Sequence, residues 1–169
     1  MRAYLPITLD ALATNPVVSA AKWPVPAGVA HVVTPQLRAQ FPNADDEELE
    51  WEAFNAAADD SLALSLHNQQ AIPLRAVLSV DLPPGSVTQF SAGASSVPSR
   101  GQVVAGVGAD VAALHVDEAD VGGVISAARA GGQLTSAQQN ALNDAHLLWY
   151  HPNEIKQLVT DMHAQFGST

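Results

Sequence analysis

With cysteine absent, the groups in this chain that could do chemistry are histidines, carboxylates and ring-bearing side chains. Thiolate metal ligands, disulfides and a cysteine nucleophile are all excluded by that absence. The histidines stand at His31, His67, His115, His146, His151 and His163. A metal-binding pair on a helix sits at i, i+3 or i, i+4, and on a strand at i, i+2. No two of these histidines have that spacing, so neither a metal site nor a cofactor is expected. His115 is the best placed for chemistry. It interrupts an apolar run and is followed on the same face by Asp117. A carboxylate-oriented imidazole is the wiring of a general base; it is also how a structural histidine is satisfied.

Asp45, Asp46, Glu47, Glu48, Glu50 and Glu52 offer paired carboxylates, yet no phosphate-binding motif accompanies them. They read as the solvated start of a helix, where negative charge is favourable. Gly106-Val107-Gly108 lacks the third glycine and the following helix of a dinucleotide site. A nucleophile elbow and a P-loop are missing too. Trp149-Tyr150-His151-Pro152 brings three amphipathic rings to a strand end, where they serve as pocket walls, interface anchors or core packing.

The elements that must position these groups follow from the apolar pattern. Ala3, Leu5, Ile7 and Leu9 alternate with polar neighbours as a half-buried strand does, and Pro6 predicts that this strand lies at an edge or carries a bulge. Ala30 to Val33 reads as a short extended piece. Thr34-Pro35 then caps a brief helix. The carboxylate run opens the longest helix, extending to about His67, with Trp51, Phe54, Ala58, Leu62 and Leu66 as its apolar face, widened by Leu49, Ala53, Ala57 and Leu64. Leu74 to Leu82 and Asp110 to Val116 are strands. Asp117 is expected to cap a helix that Gly131-Gly132 ends, with Gly122-Gly123 loosening its start. A further helix starts at Thr135 or Ser136, His146 to Tyr150 is a strand, and the last helix begins at Pro152. The stretch at about 86–108, rich in serine, glycine and proline, reads as a mobile loop with a short strand at Val103-Val104.

This order predicts an α+β fold: a ferredoxin-like split βαβ sandwich, its mainly antiparallel sheet carrying helices on one face. The 169 residues, 47% apolar, suit a single domain over 1–169. The formal net charge of −10, with its basic residues scattered singly, argues against nucleic acid as a partner. The first residues lack the pattern of a signal peptide, and the apolar stretches fall short of a membrane span. The expected location is the cytoplasm, with no membrane partner.

Three stretches carry a resemblance: Met1 to Pro6 with Thr8-Leu9, Ala30 to Arg38, and Asp45 to Glu50. Val116-Asp117 and Leu147-Leu148-Trp149-Tyr150, with Pro152 and Glu154, add to it. The chain resembles an uncharacterised family of small actinobacterial proteins, most specifically in its His-x-x-Thr-Pro-x-Leu-Arg and Leu-Leu-Trp-Tyr motifs. The resemblance implies a cytoplasmic protein and one domain over nearly the whole chain. It implies no activity and hands over no site residues. His146 stands where members of that family tend to carry an acidic residue.

Two functional expectations follow. The first is a non-catalytic domain that binds a protein partner or a second copy of itself. The alternative is an enzyme or small-anion-binding protein with a site assembled from His31, Thr34, Arg38, His115 and Tyr150. There Arg38 would hold the anionic group and His115 would move a proton.

Overall fold

The computed structural model describes residues 1–18, 21–89 and 97–167. Its centre is a set of three antiparallel strands, β1 (Arg2–Ile7), β4 (Ala76–Asp81) and β7 (Gly108–Val116). Their register sets Leu5, Leu78 and Leu114 side by side, and sets Tyr4 beside Ser79 and Val77 beside His115. Neighbouring residues of a strand point to opposite faces, so two surfaces arise. The leucine surface joins α1 (Leu9–Thr14), Trp23 and Val25 in the main core, together with Ile155, Leu158 and Val159 of α6 (Ile155–Phe166). The tyrosine surface packs under Leu37 of α2 (Pro35–Gln40) and under Leu49, Ala53 and Ala57 of α3 (Asp46–His67).

Helices therefore cover both faces, and the expectation of helices on one face is corrected. The reason lies in β4. It is buried from Ala76 to Val80, with apolar side chains on both sides, so each side needs its own covering layer. The sheet runs β2-β7-β4-β1-β3-β6-β5 with β8 beside β7, all pairs antiparallel. Here β2 is Trp23–Pro24, β3 is Gly28–His31, β5 is Val87–Gln89, β6 is Arg100–Val103 and β8 is Leu148–Tyr150. Because β3 and β4 each run antiparallel to β1, they are parallel to one another, and α2 with α3 bridges them as one split βαβ unit. The additional strands and the second helical layer depart from the ferredoxin-like expectation.

Pro6 lies in an interior strand whose register with β4 runs unbroken, so neither the edge nor the bulge expected there is found. Its ladder with β4 continues through Val77, but pairing with β3 stops at Tyr4 and His31. The missing N–H is accommodated because the ladder opens on that side. The hairpin of β5 and β6 occupies part of the stretch read as a mobile loop, while its 90–96 portion lies outside the described residues.

Helix α3 starts on a complete capping box between Asp45 and Glu48. Beyond Leu49 its buried line is Ala53, Ala57, Ser61 and Ser65, small residues that let the helix lie close to the sheet. Ser61 donates to the Ile7 carbonyl at 2.9 Å and accepts from the Ala76 N–H at 2.7 Å; Ser65 donates to the Leu74 carbonyl at 2.9 Å. Its second half also packs against α4 (Val121–Gly131) and α5 (Ser136–Asp144), where Leu62, Ile125 and Leu142 meet. Gly122 sits in the first turn of α4. A Cβ there would lie 2.6 Å from the Phe166 ring, so the glycine allows close approach.

Asp117 neither caps α4 nor orients His115. It accepts from the Arg75 backbone N–H at 2.9 Å and from the Arg75 guanidinium at 2.7–3.1 Å, and the pair is 8% and 0% exposed. Arg75 also donates to the Ala145 carbonyl at 3.1 Å, tying β4 and the end of β7 to the approach to β8. Removing one partner of a buried pair strands the other charge. Asp117→Ala is expected to lower the unfolding free energy by about 3–5 kcal/mol in urea denaturation; a loss below about 1 kcal/mol, the scale of an exposed pair, would mean that the pair is not a structural tie.

Candidate functional site

A cleft of about 1100 Å³ opens on the tyrosine surface. Its floor is Tyr4, Ser79, Ala113 and His115 of β1, β4 and β7. One wall is the first half of α3, with Glu50, Trp51 and Phe54, and the α2–α3 connection. The other is Leu147 and Trp149 around β8. The cleft exists because α3 lies over β1, β3 and β4, whereas α4 and α5 meet only its second half. The β7–β8 side of the floor is left uncovered.

The aromatic groups form a chain. Phe54 meets Tyr4 edge-on at 5.8 Å and His115 edge-on at 4.8 Å, and it stacks with Trp51 at 5.7 Å. Trp149 sits beside His115 in the β7–β8 register. Trp51 and Trp149 are 57% and 58% exposed, although Trp51 belongs to the apolar stripe read from the sequence. It lies on the flank of α3, away from the line that touches the sheet.

Tyr4 donates to Glu50 Oε2 at 3.0 Å. Burial, and then the neighbouring carboxylate, hold its phenol well above the ordinary range. Arg2 at the rim donates to both Asp81 oxygens at 2.9 and 3.1 Å. His115 Nδ1 is 3.4 Å from the Ser79 hydroxyl, a long contact. Burial lowers the His115 pKa; a hydrogen bond with the Val77 backbone opposes this, and Arg2 adds to it. The imidazole is thus neutral at pH 7, with no carboxylate behind it to sharpen it as a base.

The five residues proposed for an enzyme or anion site do not share one cavity. Only His115 lines the cleft. Tyr150 pairs with Leu114 and packs on the opposite, leucine surface. Thr34 caps α2, accepting from the Leu37 N–H at 3.0 Å and donating to the Pro98 carbonyl at 2.6 Å. Arg38 is exposed and paired with Asp46 at 2.6 Å. His31 is fully buried between Ser99 and Asp60. A carboxylate can only accept, so His31 Nε2–H donates to Asp60 at 3.0 Å, and Nδ1 accepts from the Ser99 hydroxyl at 2.8 Å. Arg100 pairs with the other Asp60 oxygen. Serine, histidine and aspartate in series is acyl-transfer wiring, but Ser99 is 1% exposed and lies outside the cleft. The network joins β3, α3 and the start of β6.

Arg2, Tyr4, Trp51, Phe54 and Ser79 were not among the residues singled out for a site. Tyr4 and Ser79 could have been found from strand alternation once β1 and β4 were known to pair. Trp149 was legible as an amphipathic ring at a strand end. Among the described residues, no cluster of histidines and carboxylates fit to hold a metal forms, and no helix is long and apolar enough to cross a membrane.

The model of the family of unknown function DUF6912 matches residues 1–159. The chain belongs to that family. No curated protein and no solved structure matches it.

Burial lowers the His31 pKa as well, against the raising influence of Asp60, while Arg100 adds to the lowering. The folded chain resists protonation at both His31 and His115, so as pH falls below about 6.5 the unfolded chain takes up protons first. Stability is fully present above that pH and declines as pH falls toward the lowered values. Urea midpoints are expected to drop between pH 7.5 and 5.5, with His31 and His115 titrating below 6.5 by NMR; a flat or rising midpoint would contradict the burial of these rings.

Proposed function

We propose that this chain is a non-catalytic interaction domain of the cytoplasm, folded as one unit over residues 1–169, whose cleft holds a protein partner. The observation that carries this reading is the pair of tryptophans, each more than half exposed, bordering one cavity from two different elements. Exposed large rings around a concavity are uncommon on surfaces that bind nothing, and tryptophan is enriched among residues that dominate binding energy. The volume, about 1100 Å³, exceeds what most small ligands need and suits several side chains of a bound segment.

The polar groups of the cleft support binding over catalysis. Glu50 is engaged by Tyr4 and Arg2 by Asp81, and His115 lacks a carboxylate partner. Of His31, Thr34, Arg38, His115 and Tyr150, the residues of the small-anion alternative, the cleft takes in only His115. Self-association through the same rings is a second form of the interaction reading, and sedimentation distinguishes it.

A random-peptide phage library panned on the full chain and on a Trp51→Ala/Trp149→Ala variant tests the proposal. Clones enriched on the natural chain and lost on the variant are the expected result, with the variant retaining the native circular dichroism spectrum. Identical clones on both, or none on either, would overturn it.

A further inference from the structure

Among the described residues, no arginine or lysine forms a salt bridge with the carboxylates that line the cleft. Its lining includes Asp45, Glu47, Glu48, Glu50 and Glu52, and Arg2 is its lone arginine or lysine among the described residues. That guanidinium is already held by Asp81, and the His115 imidazole on the floor is neutral at pH 7. Carboxylates therefore rim an aromatic surface in a chain whose net charge is −10. Such a field draws cations in and turns phosphates away. The exposed faces of Trp51 and Trp149 suit the same guest, since an ammonium or guanidinium is attracted to an aromatic face.

A second copy of this chain is a poor source of that guest. Of its seven basic residues, Arg2 is in the cleft itself. Lys22, Arg38, Arg75 and Arg100 are paired with Asp110, Asp46, Asp117 and Asp60. Arg129 is spent on the carbonyls of Ser65 and Ala71 at 2.8 Å. Lys156 alone remains, and two such acidic surfaces repel each other.

We infer that the occupant of the cleft is a basic segment of another protein, whose lysine or arginine side chains enter between the tryptophans and the acidic rim. This inference rests on the binding reading above and names the partner's chemistry.

The test uses short fluorescein-labelled peptides of one length and one apolar content, carrying lysines, serines or glutamates at the remaining positions. Fluorescence anisotropy with the full chain is expected to rank lysine above serine above glutamate, and the ranking should collapse in about 0.5 M salt as screening shortens the field. Glu47→Gln/Glu52→Gln, which spares the Asp45–Glu48 capping box, should weaken the lysine peptide about tenfold, or roughly 1.4 kcal/mol, and leave the serine peptide unchanged. A lysine peptide that does not bind, binds no better than the serine peptide, or ignores the glutamine variant would overturn the inference. So would a dimer in sedimentation that dissolves in Trp149→Ala. Phage clones that depend on the tryptophans but lack basic residues would overturn it too, while leaving the interaction domain standing; loss of all tryptophan-dependent clones would remove both.

Discussion

Strand β4 is paired along its whole length on both edges, with β1 on one side and β7 on the other, and this double pairing dictates what every neighbouring element can do. Side chains alternate across a strand, so a slip by one residue would exchange the two faces entirely. In the observed register the Leu5, Leu78 and Leu114 row goes one way and the Tyr4, Ser79 and His115 groups go the other. The leucine face is sealed by α1 and α6. The tyrosine face is only partly covered, and the cleft is the uncovered remainder.

How much remains uncovered depends on the small residues of α3. Ala53, Ala57, Ser61 and Ser65 bring the helix close to β1 and β4, and the two serine hydroxyls fasten it to backbone groups of both strands or their flanks. A helix held that close cannot also spread over β7 and β8. Trp51 and Phe54, one step around the helix from that buried line, then become the cleft's wall. The aromatic chain from Trp51 through Phe54 to Tyr4 and His115 follows from the same seating.

Charge is divided between two tasks. Where it is buried it ties elements together: Arg75 and Asp117 join β4 to β7, and Asp60 gathers His31 and Arg100. Asp60 is acceptor to both; burial, working against the raising influence of Asp60, favours the neutral imidazole, with Ser99 as its donor. Where charge is exposed on the first turns of α3 it stabilises the helix start and also lines the cleft. The same carboxylates thus serve folding and bias what the cleft can hold.

Local patterns determined much of this. The capped starts of α2 and α3, the end of α3 at His67, the alternation in β1 and β4, and the glycine end of α4 follow from short-range chemistry: caps, helix dipoles, period-two burial and a positive φ of 73° at Gly132. The α+β class followed from the same signals, and Trp149 stood out as a ring at a strand end. Partnership was not legible. Asp117 follows His115 at i+2 and reads as its orienter, yet it turns to Arg75, 42 positions earlier in the chain, because a buried carboxylate is satisfied better by a guanidinium and a backbone N–H than by a neutral imidazole. Pro6 reads as an edge marker, but edge or interior depends on where β3 stops pairing. Trp51 fits the apolar stripe of its helix, and only the tilt of α3 on the sheet decides that it faces the cleft. Spacing along the chain reports the face of an element; which faces meet, and which are left open, is decided by strand register and helix seating, both set by contacts between distant residues.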